Sequence, residues 1–294
     1  MPRLGIAVVH YRAEELLARC LGALEESTFD DFEVVVADNG SASGLDWVAG
    51  RDARYRVIAA GANVGFAAAT NLALARLGPS ELLLLLNPDV FVEPQTLEVL
   101  VALLEREPDI GAATCRLVRP NGSLDPACRR SDPTLLSAAA KQLGLQALFP
   151  HSRFFAGYNL TYLDADAAHD IDSGTAAFLL LRRAALIAAG GGLDERFFLY
   201  GEDLDLCRRI RLAGYRIRYW PQARAVHVKG SGRPRGARAT VEFHRAMWIY
   251  YRKWGTFRRN GFVLVPLLGA IAALGAIALV TGAVRLRSAP AGRR

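Results

Sequence analysis

The run of five leucines at residues 82–86, followed by Asn87, Pro88 and Asp89, restricts the fold more than any other stretch of this 294-residue chain. A continuous apolar run this short, bounded by turn residues, reads as a strand buried on both faces. Asp89 then sits just beyond its carboxyl end, the edge at which open α/β sheets bind their ligands. A carboxylate there either holds a divalent cation or is a surface residue of a proline-containing turn.

The flanking sequence supplies the rest of such a sheet. Residues 4–9, 32–37 and 55–59 read as strands. Residues 14–26 carry Leu16, Leu17, Cys20, Leu21 and Leu24 at helical spacing. Residues 65–77 form an alanine-rich helical pattern stopped by Gly78 and Pro79, and residues 94–107 another with Pro94 in the first turn. Strands alternating with helices predict an α/β fold with a doubly wound, mostly parallel sheet over roughly the first 115 residues. Polar residues recur where these strands end: His10 and Tyr11, Asp38 and Asn39, Asn63, and Asp89. Four such ends point to one crevice along the carboxyl edge. No G-x-G-x-x-G follows the first strand and no G-x-x-x-x-G-K-[ST] occurs, which argues against a dinucleotide dehydrogenase and a P-loop enzyme.

Residues 115–170 are less regular. Pro120, Asn121 and Gly122 suggest a hairpin turn, residues 133–148 a helix, and residues 151–169 a long loop suited to an acceptor. Regularity returns with a strand at 176–181 and a helix at 183–189, before Gly190, Gly191 and Gly192 break the chain. Glu202, Asp203 and Asp205 then open a helix that ends at Gly214. Acidic residues in a first turn oppose the helix dipole. The preceding aromatic run at 197–200 desolvates them, which raises a carboxylate pKa towards useful basicity. The two influences oppose each other. Residues 225–227 read as a short strand end. The glycine-rich stretch 228–238 carries Lys229, Arg233, Arg235 and Arg238, which suits a diphosphate or a solvated charge run. His227 adjoins it, as a structural histidine or a ligand.

The net charge of +7 admits nucleic acid, anionic lipid or a phosphorylated substrate as partner. The basic residues gather around the glycine-rich loop and the carboxyl end instead of forming a stripe with stacking aromatics, which disfavours nucleic acid. The four cysteines form no C-x-x-C pair, which disfavours zinc and redox motifs. No signal peptide is visible. Residues 239–254 form an amphipathic, aromatic-rich helical pattern. Residues 262–284 carry no charge and as a helix would reach about 35 Å, enough to cross a bilayer; a buried core helix is the alternative. Pro266 and three glycines suit a membrane helix better than a soluble one.

Seven stretches, in order, resemble the family 2 glycosyltransferases of GT-A fold, in their bacterial rhamnosyltransferase-like branch. They are VVHYR at 8–12, VVVADNGS at 34–41, NVGFAAATN at 63–71, LLLNPDV at 84–90, DSGTAAFLLLRR at 172–183, FFLYGEDLDLCRRIRLAGY at 197–215 and AVHVKGSG at 225–232. The resemblance implies that Tyr11 and Asp38 contact the base and ribose of a nucleotide, with Asn63 in the motif that closes over it. It implies that Asp89 is the metal-binding carboxylate of a D-x-D motif whose first position is here Asn87, and that His227 completes a Mg²⁺ or Mn²⁺ site. Lys229 of the basic loop would sit on the donor diphosphate. Asp203 matches the general base, Glu202 is its competitor on the acceptor side, and Asp172 borders the acceptor. His10 and Arg12 replace the family's common Thr and Asn, which leaves thymine against uracil open.

The enzyme so implied is an inverting, metal-dependent transferase that moves a sugar, plausibly rhamnose, from a dTDP- or UDP-sugar to a lipid-linked saccharide in cell-surface glycan synthesis. Residues 1–236 would be the catalytic domain, with a nucleotide half to about 115 and an acceptor half from 116. Residues 237–259 would be a juxtamembrane helix and 260–294 a membrane segment with a basic tail, at the cytoplasmic face of the plasma membrane. A nucleotidyltransferase shares the general fold but lacks support, because no glycine-rich, arginine-containing loop follows Val9. A non-catalytic scaffold is disfavoured by the retained Asp89, Asp203 and His227.

Overall fold

A computed structural model of the chain describes residues 1–255 apart from 42–43, 135–136, 138–139, 141–143 and 230–235. The hydrophobic segment at 262–284, Arg233 and Arg235, and part of the helix expected at 133–148 lie outside the described residues. Among those described, no helix is long and apolar enough to cross a membrane.

The leucine run is strand β4 (Leu82–Leu86), and all five side chains are buried. Each contributes about 2 kcal/mol by leaving water, so the run fixes its own position at mid-sheet. It pairs in parallel with β1 (Leu4–His10), which pairs with β2 (Phe32–Asp38), which pairs with β3 (Tyr55–Ala59). Helices α1 (Glu14–Glu25), α2 (Asp46–Ala49) and α3 (Phe66–Leu74) join these strands, and α3 packs on β1 and β2. The parallel, doubly wound expectation describes this half.

Beyond β4 the sheet is mixed, and the mostly parallel expectation needs correcting. Strand β8 (Phe178–Arg182) inserts antiparallel between β4 and β6 (Ile110–Val118), with Leu84 opposite Leu180. Strand β9 (Arg216–His227) runs parallel to β6, while β5 (Val90–Val92) and β7 (His169–Asp170) pair antiparallel with β9. The order is β3-β2-β1-β4-β8-β6-β9-β5. Pairing between strands so far apart in the chain leaves no local mark in the sequence. Helix α4 (Thr96–Arg106) packs on β6 and β9.

Strand β9 is also far longer than the three residues expected at 225–227. Pro221 hides it. The register with β6 steps from Trp220 opposite Cys115 to Arg224 opposite Arg116, so Pro221 falls in an irregularity where its missing N–H costs no ladder bond. The far end of β9 sets up the site. Val90 lies opposite His227, and the Val228 amide donates to the Asp89 carbonyl at 2.9 Å.

Helices α5 (Leu145–Leu148), α6 (Arg183–Ala188), α7 (Glu202–Leu212) and α8 (Ala237–Lys253) complete the described fold. Helix α8 packs Ala246, Tyr250 and Tyr251 against Phe197 in a second apolar cluster. At its end the Trp254 indole N–H donates to Asp205 at 3.0 Å, and Lys253 pairs with both Asp205 and Asp194. The helix is thus fastened to the segment that carries Glu202 and Asp203.

Candidate active site

A cleft of about 540 Å³ opens at the carboxyl edge of the sheet. Tyr11, Asn63, Asn87 and Asp89 line it, each just past a strand, and Phe198 and the first turns of α8 close it. Tyr11 is 40% exposed, with the Arg12 guanidinium over its ring. His10, one residue earlier, is fully buried in β1 opposite Asp38 and does not line the cleft. Asp38 ends β2, where one oxygen accepts the Ser41 amide at 2.9 Å. The Asn39 side chain donates to Asn63 at 3.2 Å and accepts the Val64 amide at 2.9 Å, which ties the second and third strand ends together.

Gly65 follows, at a φ of +93°. A Cβ there would lie 2.6 Å from the Phe198 carbonyl oxygen, and the Phe66 amide donates to that oxygen at 2.7 Å. Only glycine allows this approach, which joins the amino-terminal half to the loop leading into α7.

Asp89 lines the cleft, and His227, buried and not part of its lining, lies against Asp89. His227 Nε2 lies 3.5 Å from Asp89 Oδ1, too long for a good hydrogen bond, and among the described residues that buried oxygen has no hydrogen-bond partner. Asn87 Oδ1 is unpartnered in the same way. Among the described residues, no three His, Cys, Asp or Glu side chains converge into a metal cage. The Asp89 oxygen, 3.5 Å from an imidazole nitrogen, nevertheless suits a hard cation. Such a cation, with bonds of about 2.1 Å, sets adjacent ligands about 3 Å apart and draws the remaining ligands from phosphate and water.

Sequence reasoning missed the group behind His227. Asp125 is fully buried; it accepts His227 Nδ1 at 2.8 Å and Lys229 Nζ at 2.7 Å. Burial pushes its pKa up, but the bonds from His227 and Lys229 outweigh this and hold it well below the usual carboxylate range. Burial likewise disfavours the His227 imidazolium, yet the Asp125 bond and the Asp89 carboxylate leave its pKa above the ordinary value. The one available signal was the Asn121-Gly122 turn, which returns the chain to β6 and brings Asp125 back with it.

Asp203 and Glu202 do not line the cleft. They lie at the start of α7, reached through the Phe198–Leu199 segment that does line it. Asp203 Oδ2 accepts from Arg130 Nη2 at 2.7 Å, and Oδ1 accepts the Leu204 amide. Arg130 is buried as well, and it also donates to the Gly174 carbonyl. It too went unnoticed in the irregular middle of the chain, although a paired Arg129-Arg130 beside Cys128 hinted at a buried cation. Glu202 is 5% exposed, with Oε2 unpartnered. Burial first, and then the neighbouring Asp203 charge, push its pKa up to about 8, so desolvation outweighs the helix dipole there.

Asp172 falls elsewhere. It pairs with Arg211 at 3.2 Å, accepts the Asp132 amide, and lines a separate hollow of about 330 Å³.

Comparison with known proteins gives the family and the fold. The model of the family described as glycosyl transferase family 2 matches residues 6–165, more than half of the chain. The chain is 29% identical over 276 residues to the N-acetylglucosaminyl-diphospho-decaprenol L-rhamnosyltransferase of Mycobacterium tuberculosis, covering 90% of this chain and 87% of that one. It is 25% identical over 231 residues to rhamnosyltransferase WbbL of Escherichia coli, covering 76% and 82%. Among solved structures it superposes on GalNAc-T7 with UDP, GalNAc and Mn²⁺ at a TM-score of 0.62 and 14% identity, covering 94% of this chain and 54% of that one. Against S. aureus TarS the TM-score is 0.57 at 18% identity, covering 84% and 38%. The chain thus spans about half of one solved relative and less of the other, and at these identities the likeness shows a shared GT-A-like fold.

Proposed function

Since the chain belongs to glycosyl transferase family 2, we propose that it is an inverting, metal-dependent glycosyltransferase moving rhamnose from a nucleoside diphosphate to a hydroxyl of a lipid-linked saccharide. The observation that carries this reading is the Asp89 oxygen set 3.5 Å from His227 Nε2 beside a cleft that Tyr11, Asn63 and Asp89 line. The two rhamnosyltransferase relatives, matched over most of their length, support the sugar.

Tyr11 stacks on the base, and Asp38 accepts a ribose hydroxyl through the oxygen that Ser41 does not use. Asp89 and His227 would hold Mg²⁺ or Mn²⁺, which would neutralise charge on the departing diphosphate, with Asn87 on the donor side. Lys229 adds a positive charge on the same side. Asp203 takes the acceptor hydroxyl proton, and Arg130 fixes that carboxylate in place. Burial and the neighbouring Asp203 charge raise the Glu202 pKa and so favour its protonated form, which leaves Asp203 as the preferred base. The donor and base ends are linked through the Gly65–Phe198 contact. Residues 1–236 form the catalytic domain, with α8 packed on it and 262–284 as its anchor at the cytoplasmic face of the plasma membrane.

The test is release of nucleoside diphosphate from a panel of dTDP- and UDP-sugars with a polyprenyl-diphosphate saccharide as acceptor, before and after chelation. Release from dTDP-rhamnose alone, lost on chelation and restored by Mg²⁺ or Mn²⁺, supports the reading. Release that persists after chelation overturns the metal dependence, and preference for another donor overturns the sugar.

A further inference from the structure

A buried carboxylate that serves only its own backbone has no need of partners from a distant strand. Asp125 has two. Its Oδ1 accepts the Ala127 amide, capping the short 3-10 turn at Pro126–Cys128, which any exposed Asp, Asn or Ser could do. Beyond that cap, Oδ2 meets His227 Nδ1 and Oδ1 meets Lys229 Nζ, both more than a hundred residues further along the chain. The backbone delivers this meeting. Val118 at the end of β6 pairs with Val226 near the end of β9, and the hairpin after β6 returns so that the Asp125 amide donates to Leu117. Lys229 turns away from the strand with a φ of +38°, a conformation seldom taken by a residue with a side chain.

We infer that Asp125 is a positioning residue: it fixes the His227 ring with Nδ1–H donated inward and Nε2 presented to Asp89, and it holds Lys229 on the same side. The inference rests on the metal reading proposed above. An imidazole is a useful ligand only through a nitrogen that carries a lone pair, and its other nitrogen needs an acceptor to keep the proton there. Asp125 is that acceptor. Full burial leaves it no water to exchange with, so the orientation is set before any cation arrives. Asp125 touches neither donor nor acceptor and acts through His227 and Lys229.

Two measurements on the full chain in detergent test this. The first needs no variant. With ¹⁵N-labelled histidine and saturating Mg²⁺ and dTDP, His227 should show a protonated Nδ1 and a lone-pair Nε2, and replacing Mg²⁺ by Mn²⁺ should broaden Nε2 more than Nδ1. A proton on Nε2, with Nδ1 facing the cation, overturns the inference. The second measurement compares Mn²⁺ binding, by electron paramagnetic resonance, to the unaltered protein and to Asp125→Asn. Asparagine can still cap the turn, but its amide no longer enforces one tautomer. Affinity should fall about 10- to 100-fold, the usual loss when the partner of a ligating histidine is removed. A folded Asp125→Asn protein that binds Mn²⁺ as tightly as the unaltered one overturns the inference while leaving the metal reading intact. Absence of Mn²⁺ binding by the unaltered protein, with or without dTDP, overturns the metal reading and this inference with it.

Discussion

Asp203 and Arg130 form a buried ion pair, 2.7 Å from oxygen to nitrogen, between the first turn of α7 and the irregular segment that follows β6. The pair joins the proposed base to a part of the chain that carries no recognisable motif. Breaking a buried pair on one side leaves an uncompensated charge, whereas replacing both partners is far milder. Arg130→Met should therefore destabilise the protein by about 3–5 kcal/mol. The double variant Arg130→Met with Asp203→Asn should recover most of that. Denaturant unfolding of the four proteins in the cycle measures the coupling, and a double variant as unstable as Arg130→Met would refute the pairing as a stabilising unit.

Asp203→Asn also leaves Arg130 unpaired, so it is assayed beside the Arg130→Met, Asp203→Asn double variant to separate chemistry from folding. Loss of a general base typically lowers turnover by about 100- to 10,000-fold. Asp203 is outside the donor cleft, so the affinity for nucleoside diphosphate should be unchanged. Titration calorimetry with dTDP beside steady-state kinetics checks both halves, and a variant that turned over at the normal rate would remove Asp203 from the mechanism.

Glu202 predicts the shape of the pH–stability curve. Its pKa in the folded protein is about 8, against an ordinary 4.5. Between those values the native state keeps a proton that the unfolded chain has released. Stability from this group is therefore full below pH 4.5 and is lost as pH rises through 8. Glu202→Gln stays neutral throughout, so its curve should be flatter, and at pH 8 it should be more stable than the unaltered protein by on the order of 4 kcal/mol. Parallel curves for the two proteins between pH 5 and pH 9 would contradict the burial argument.

Gly65→Ala tests the contact between the two halves. It combines a positive φ with a Cβ driven to 2.6 Å from the Phe198 carbonyl. Gly61 is a control, since its φ is +77° but nothing lies within 4 Å of the added atom. Gly61→Ala should cost about 1 kcal/mol from backbone strain alone. Gly65→Ala should cost more and should also raise KM for the donor, because the Phe198 wall of the cleft must move. Equal thermal shifts for the two variants, with an unchanged KM, would dismiss the close approach as a structural constraint.

Much of the architecture was legible in local patterning. The leucines of β4 announce a strand buried on both faces, and the helical spacing of Leu17, Cys20, Leu21 and Leu24 places α1, where all four are buried. The strand ends that line the cleft could be read as a set, because polar residues gather within a few positions of each apolar run. Strand β9 was not legible beyond its last three residues. Pro221 interrupts its pattern, and the irregularity that accommodates it exists only against β6. The antiparallel insertion of β8 was equally hidden, since the chain reaches that position from a distance.

By itself, the sequence determined the elements of the amino-terminal half, the crevice edge and the residue types gathered there, because apolar period and turn chemistry are local properties. The tertiary structure alone decided which charges meet. Asp125 reaches His227 across 102 residues and Arg130 reaches Asp203 across 73. It also decided between the opposing influences at the start of α7, where packing buries Glu202 and lets desolvation prevail over the helix dipole. Burial and counter-charge depend on what folds over a residue, and neither is written in the residues beside it.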